Sequence, residues 1–520
     1  MPNMSNQEQD IRLRMLNSFM SCPHRDTDKI KQVHAELREK DPVFYSRLAS
    51  WYNRTGELRD HQEVFAAMLI TDPFLDNREV GMGLFRRHAP FMKSRILGFI
   101  KGKKVKVRTK TGKKVKVGKK SHDEVKIEAK NVGLCVNPGT AFRKDVEAYL
   151  RWLESDDTRF DGVCFRNFKD LKQMYASLQI KPCKRAQEIL FKKKYPEGSK
   201  LNVFKEIADT KSPAKAAKLI VEHKVPYTVA VGLVQKVTPS VLVALINSMS
   251  PQEVINNVAS LQEKGAYDNP DIKKLITDKL EKAKKSKKVS TLKSKTAKST
   301  GRVKDEEILQ QLDDVADEQV KTKGQISLAT AVFVDRSGSM SKAIEVGKRV
   351  ASLISGATVA DLHVVAFDNV AAPIRCEGKT LSAWERAFSA IRSGGSTSMG
   401  CALDYLLRKE SYVEQIVVIT DEGENARPMF SEVYKRYSEK MNVTPNVVVI
   451  NVDDDTGWGG ADKTFSNNLT RAGIEFDTYK PAGADYYGLP GLLPLLARKS
   501  KLDLVYEIMD EPLVTRKAFR

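Results

Sequence analysis

The sequence predicts a multidomain chain, an all-α module of helical repeats followed by a doubly wound α/β domain. Three observations carry this. At 520 residues the chain is longer than one hydrophobic core usually serves. From about residue 140 to 282, helix starts written as Ser-Pro, Thr-Pro or Asn-Pro recur, each followed by apolar residues at helical spacing. Beyond residue 300, continuous Val, Ile and Ala runs alternate with amphipathic stretches, as in a parallel sheet covered on both faces. The division is placed at 300, giving units 1–300 and 301–520.

The helix starts have a mechanism. Ser212-Pro213, Thr238-Pro239, Ser250-Pro251 and Asn269-Pro270 each put a capping oxygen at the N-cap and a ring-fixed residue at the first helical position. Ser250 with Glu253 adds a capping box. Behind them Leu242, Leu245, Ile246 and Met249 form one apolar stripe, and Ile272, Leu275, Ile276 and Leu280 the next. No such helix can cover its own stripe, so the helices stack into a HEAT-like solenoid. Residues 10–100 also read as helical, as in Val64 to Ile70.

Residues 101–120 interrupt this pattern with KGKKVKVRTKTGKKVKVGKK, which has eleven basic residues, no acidic one, and G-K-K-V-K-V twice. Alternating Lys and Val is period two, so a β-hairpin insertion near 101–127 is predicted, turning at Thr109-Lys110-Thr111-Gly112. Lys103, Lys104, Lys106, Arg108, Lys113, Lys114 and Lys116 are candidate nucleic-acid contacts; the plainer reading is an edge hairpin whose lysines block aggregation. Residues 281–304, with ten basic residues and one acidic, read as a flexible basic linker.

In the second half, strands are predicted at Leu328–Asp335, Leu362–Phe367, Gln415–Thr420 and Asn446–Val452, with helices near 340–355, 381–391, 399–408, 429–440 and 462–472. An open α/β sheet binds its ligand at the carboxyl ends of the strands. Three loops fall there: Asp335 with Arg336-Ser337-Gly338-Ser339, then Gly394-Gly395-Ser396-Thr397-Ser398, then Asp421-Glu422-Gly423-Glu424. Hydroxyls and carboxylates without thiolate or imidazole suit Mg2+ or Mn2+ and not zinc. Glu422 and Glu424 read as solvated loop charges.

Charge separates the halves. Residues 1–300 carry 60 Lys+Arg against 34 Asp+Glu, a balance of +26, whereas residues 301–520 carry 27 against 32, or −5. So basic a half points to a polyanion partner, or else to a well-solvated lysine surface. The six cysteines have neither disulfide nor zinc spacing, which predicts a reduced chain. The start MPNMSNQEQD is polar and no apolar run reaches the roughly 18 residues of a membrane span, so no signal or anchor is expected and the cytoplasm is the default location.

Asp335, Ser337 and Ser339 form D-x-S-x-S, and with Thr397 and Asp421 they resemble the metal-ion-dependent adhesion site (MIDAS) of von Willebrand A domains. The resemblance implies that the hydroxyls bind the ion directly or nearly so, the aspartates chiefly through water, and that a partner's acidic side chain completes the shell. Leu178-Gln179-Ile180-Lys181-Pro182, Arg185-Ala186-Gln187, Glu222-His223-Lys224-Val225-Pro226-Tyr227, Val241 to Ile246 and Ser250 to Asn257 resemble a TROVE module. A TROVE module followed by an A domain is the order of Ro-type ribonucleoproteins. It implies binding of small structured or misfolded RNAs, including Y-RNA-like ones, in RNA quality control or repair. The Lys-Val hairpin departs from that pattern.

Lys181, Lys184 and Arg185 open a helix whose apolar positions Ala186, Ile189 and Leu190 place them on an exposed face, suited to phosphate or simply to solvent. His223 falls at helical spacing from Ala216, Leu219 and Ile220, so a core histidine is the plainer reading; with Lys224 it remains a candidate RNA contact. Trp51 and Tyr52 read as core. Two rivals stand beside the non-catalytic RNA-binding reading. One is a metal-dependent protein-binding scaffold without RNA. The other is a metal-dependent hydrolase, whose base would have to be Glu422 or Glu424, since Asp335 and Asp421 are engaged as ligands.

Overall fold

The computed structural model describes residues 15, 27–56, 59–117, 120–286, 289, 303–321, 325–338, 340–452, 464–479, 493–497 and 501–516. The described residues form two compact units: those up to Lys236 together with those from Glu507 onward make the first, and those from Val237 to Tyr506 the second.

The first unit opens with helices α1 (Thr27–Lys40), α2 (Pro42–Thr55), α3 (Arg59–Ile70), α4 (Leu75–Arg87) and α5 (Pro90–Lys101). Asp41 caps α2 by accepting from the Phe44 amide, with Pro42 just inside the helix. Every residue from Val64 to Ile70 is buried, so α3 is the central helix of this bundle. Trp51 and Tyr52 are core residues, as read. Strands β1 (Lys103–Val117) and β2 (Lys120–Val132) pair antiparallel. The expected hairpin exists but turns elsewhere: β1 runs through Thr109–Gly112, Thr109 and Lys110 pair with Lys126 and Val125, and an irregularity between Lys110 and Lys114 takes up Thr111, Gly112 and Lys113. A bulge accommodates these extra residues without ending the strand.

Helices α6 (Thr140–Glu154), α7 (Asp157–Leu178), α8 (Lys184–Lys192), α9 (Asn202–Asp209), α10 (Pro213–Glu222) and α11 (Tyr227–Ala230) continue the unit. The C-terminal segment returns to it. Glu507 accepts from Trp51 Nε1 at 2.8 Å, Glu511 pairs with Arg54 at 2.6 Å, and the Val514 amide donates to Ser50 Oγ at 3.2 Å. Val514 is buried, and a Cβ on Gly83 would meet it at 3.0 Å.

The second unit begins with α12 (Pro239–Ser248), α13 (Pro251–Glu263) and α14 (Pro270–Lys284). The division therefore falls after Lys236 and not at 300. The cause is α15 (Glu306–Lys321), which packs on α14: Gln319 Nε2 donates to the carbonyls of Ala283 and Lys284 at 2.9 and 3.0 Å, and Lys273 reaches Asp305 at 2.9 Å. Ser212, Ser250 and Asn269 cap α10, α13 and α14 as read, with the capping box complete, whereas Thr238 makes no cap bond and meets Ser240 Oγ instead. Most of the linker at 281–304 lies outside the described residues.

After α15 come β3 (Thr330–Asp335), α16 (Ser341–Ala357), β4 (Leu362–Phe367), β5 (Ala371–Ile374), α17 (Leu381–Ala387), α18 (Met399–Arg408), β6 (Gln415–Thr420), α19 (Phe430–Met441), β7 (Asn446–Asn451), α20 (Thr464–Arg471), β8 (Phe476–Tyr479), α21 (Leu493–Leu496) and α22 (Lys501–Asp510). The sheet order is β5-β4-β3-β6-β7-β8, parallel except for β5. Successive residues of a strand face opposite sides, and both sides are filled. Val332, Val334, Val417 and Ile419 join the core under α16, while Ala331, Phe333, Ile416 and Val418 join the core under α18 and α19. A Cβ on Gly347 of α16 would meet Val334 at 2.6 Å, so only glycine permits this helix-to-strand approach.

Candidate metal site and nucleic-acid contacts

From β3 the chain leads to β4 on one side, while β6 lies on the other, so the carboxyl end of β3 is the switch point of the sheet. Asp335 ends β3 there and Thr420 ends β6 beside it. Thr420 Oγ1 donates to Asp335 Oδ2 at 2.8 Å, and the Ser337 amide donates to Asp335 Oδ1 at 2.9 Å. Asp335 is completely buried. Burial pushes its carboxyl up to about 6; the bonds from Ser337 and Thr420 oppose that rise, and the charge of Asp421 adds to it.

The three predicted loops are tied together by main-chain bonds. The Arg336 carbonyl accepts from the Gly394 amide at 2.7 Å, and the Asp368 carbonyl accepts from the Ser398 amide at 2.7 Å. Thr397, buried, donates its amide to Asn425 Oδ1 at 2.9 Å, and its carbonyl accepts from the amides of Asn425 and Ala426. Gly395 takes φ +89° against Asp368, whose carboxylate pairs with Arg336 at 2.9 Å. Asp335, Ser337, Thr397 and Asp421 thus stand on adjoining, mutually braced loops; Ser339 lies outside the described residues.

The donor set fits a hard divalent cation. It consists of carboxylate and hydroxyl oxygens around a buried Asp335 to which the described residues supply no cationic partner. Among the described residues no group of three or more His, Cys, Asp and Glu side chains could hold a metal, so a site of that kind is not the one at issue.

Glu422 and Glu424 are not the solvated charges the sequence suggested. Both are buried. Glu422 accepts from Asn451 Nδ2 at 2.6 Å and from Ser466 Oγ. Glu424 accepts from the Phe430 amide at 2.7 Å and Asn468 Nδ2 at 3.1 Å, and burial raises its pKa. They anchor the third loop to α19 and α20. An acidic pair after a strand gives no sign of this, because the side-chain partners Asn451, Ser466 and Asn468 come from segments 29 to 44 residues away.

The nucleic-acid candidates separate. Lys103, Lys104, Lys106, Arg108, Lys113, Lys114 and Lys116 all fall on β1, and their side chains lie outside the described residues. Lys181 and Lys184 are exposed at the start of α8. Arg185 turns inward, pairing with Asp161 at 2.8 Å and Asp157 at 3.2 Å on α7, which corrects its expected exposed placement. His223 is exposed and not in the core: α10 ends at Glu222, and helical spacing no longer governs the next residue. Lys224 beside it is exposed in the left-handed region at φ +49°.

With both sites described, comparison with known proteins gives the class of the fold. No known family model matches the chain, and no curated protein matches its sequence. Among solved structures, the Ro protein (RSR) of Deinococcus radiodurans matches with a TM-score of 0.58 at 13% identity, covering 89% of this chain and 93% of that one. The chain therefore has the fold of that Ro protein, a helical module with an α/β A domain. A von Willebrand factor type A structure from Catenulispora acidiphila matches 34% of this chain and 43% of its own at 15% identity, with a TM-score of 0.25. Among the described residues no helix is long and apolar enough to cross a membrane.

Proposed function

We propose that this chain is a non-catalytic, Ro-like RNA-binding protein that takes small structured or misfolded RNAs, Y-RNA-like ones among them, in RNA quality control or repair. The observation that carries the reading is the likeness of fold to a Ro protein over 89% of the chain. The charge supports it, because the +26 is confined to the part containing the helical module and its hairpin. Lys181, Lys184, His223 and Lys224 are the described phosphate contacts in this reading, with the β1 lysines beside them.

In the A domain, Ser337, Ser339 and Thr397 would hold Mg2+ or Mn2+ with Asp335 and Asp421. Such an ion would supply an open coordination position for a partner's acidic side chain. The chain's own residues brace the loops and orient Asp335, the bonds from Ser337 and Thr420 favouring its ionised form against burial. Against hydrolysis, Glu422 and Glu424 spend their carboxylates on structural hydrogen bonds, leaving no base among the residues nominated for that role.

Sequencing the RNA that copurifies with the native protein is the test. Enrichment of discrete small RNAs, lost in high salt, is the expected result. Absence of bound RNA together with retention of a protein partner in Mg2+ would favour the scaffold reading.

A further inference from the structure

A cavity of about 370 Å³ lies inside the first unit, between α1, the end of α3, α4 and the segment entering α6. That is within the range of small-ligand sites, roughly 300–1,000 Å³. Three cations line it, Lys31, Arg38 and Arg78, against one carboxylate, Asp72. Asp72 is already committed. It accepts from the Phe74 amide at 2.8 Å and pairs with Arg38 at 3.5 Å. No second carboxylate lines the cavity to meet Arg78.

Arg78 is the decisive residue. Its Nε is buried without a hydrogen-bond partner, and no hydrogen bond or ion pair of the described residues uses its guanidinium. Arg78 is half-buried at the cavity wall, and a guanidinium there without an acceptor among the described residues suits an anionic ligand, its fork matching phosphate. Met82 and Phe142 supply an apolar wall in the same cavity. Thioether and aromatic surfaces suit a flat ring.

We propose that this cavity binds a nucleotide bearing a phosphate monoester, with the dianionic phosphate on Arg78 and the base against Met82 and Phe142. The chemistry is shared by a free nucleoside monophosphate and the phosphorylated 5′ end of an RNA. The site stands independently of the RNA-binding surface proposed above, since its residues are none of those.

The test uses the full chain and calorimetric titration with the four ribonucleoside 5′-monophosphates, their nucleosides, and short single-stranded RNA with and without a 5′-phosphate. A monophosphate should bind saturably, and its nucleoside about tenfold more weakly or worse, as expected for loss of a charge-assisted bond. Arg78→Met should weaken the nucleotide by a similar factor and Arg78→Lys should partly restore it, with the ligand-free melting temperature unchanged in both. Competition by the 5′-phosphorylated RNA alone would identify an RNA end as the source; no competition by either RNA would identify a free nucleotide. Equal binding of nucleotide and nucleoside, no binding of any monophosphate, or an Arg78→Met affinity equal to that of the unaltered chain would overturn the proposal.

Discussion

Thr420 Oγ1 donates to Asp335 Oδ2 across the carboxyl ends of two adjacent parallel strands, at 2.8 Å. This bond fixes the orientation of a fully buried carboxylate at the switch point of the sheet, and it ties the D-x-S-x-S loop to the strand that leads into Asp421. A carboxyl held at about 6 in the folded chain, against an ordinary 3.8, favours the protonated form on folding. Above pH 6 the ionised group is therefore a cost to the cation-free fold, one that a divalent cation would offset.

Asp335→Asn should remove that cost. In EDTA at pH 7 the variant should be more stable than the unaltered chain by on the order of 2–3 kcal/mol, the free-energy equivalent of so raised a carboxyl pKa. Mg2+ should raise the melting temperature of the unaltered chain and leave the variant unmoved. Calorimetric melting with and without Mg2+ decides it, and equal Mg2+ stabilisation of both chains would exclude Asp335 from the site.

Acid sensitivity of the first unit has a separate source. His88 is buried, and burial with the neighbouring Lys93 ammonium lowers its pKa to about 4; His34, fully buried, is also lowered. These histidines fold neutral. As pH falls through the unfolded value near 6.5, the unfolded chain takes up protons that the folded chain refuses, so stability drops progressively toward pH 4. Melting temperature should fall from pH 7 to 5, and His88→Asn should flatten part of that slope. A pH-independent melting temperature in both chains would contradict the assignment.

How much of this was legible depended on whether the signal was local. Leu362–Phe367 and Gln415–Thr420 were readable as strands to the residue, because both faces are buried over the runs Val364 to Ala366 and Ile416 to Ile419, which are all Val, Ile and Ala. Ser250 and Glu253 spelled their capping box. Ala371–Ile374 and Phe476–Tyr479 were not read. They are four-residue edge strands, partly exposed, and the first contains a proline that only an edge tolerates. The helix at Glu306–Lys321 carried its stripe in Ile308, Leu312, Val315 and Ala316, all buried, but it adjoined a lysine-rich segment read as linker. Glu422, Glu424 and Arg185 were misread for one reason: the side chains that pair with them are far away in sequence, and an ionisable side chain looks the same whether paired or solvated. D-x-S-x-S was legible because a loop after a buried strand carries its chemistry in consecutive residues.

The β1 lysines bear on the RNA reading through salt. Replacing Lys113, Lys114 and Lys116 by glutamine should lower RNA affinity and also the steepness of its salt dependence, by about 0.7 in log–log slope for each lost contact to a single strand. Gel-shift titrations across a salt series measure both. Unchanged affinity and slope would leave the hairpin as a solvated edge whose lysines prevent strand pairing.

At the start of α8, neighbouring cations should behave in opposite ways. Lys181 and Lys184 are exposed, so Lys181→Gln with Lys184→Gln should weaken RNA binding while leaving the melting temperature within about 1 °C, as for surface changes generally. Arg185 pairs with Asp161, a carboxylate whose side chain is 5% exposed and which also accepts from Ser199 Oγ at 2.7 Å. Arg185→Gln leaves that carboxylate buried without its cation, which should cost about 3 kcal/mol and lower the melting temperature by several degrees. A folded Arg185→Gln chain that kept its stability yet lost RNA would reverse the assignment and make this arginine a phosphate contact after all. Measuring melting and RNA affinity on the same preparations separates the two roles, because a phosphate contact moves only the second and a structural ion pair moves the first.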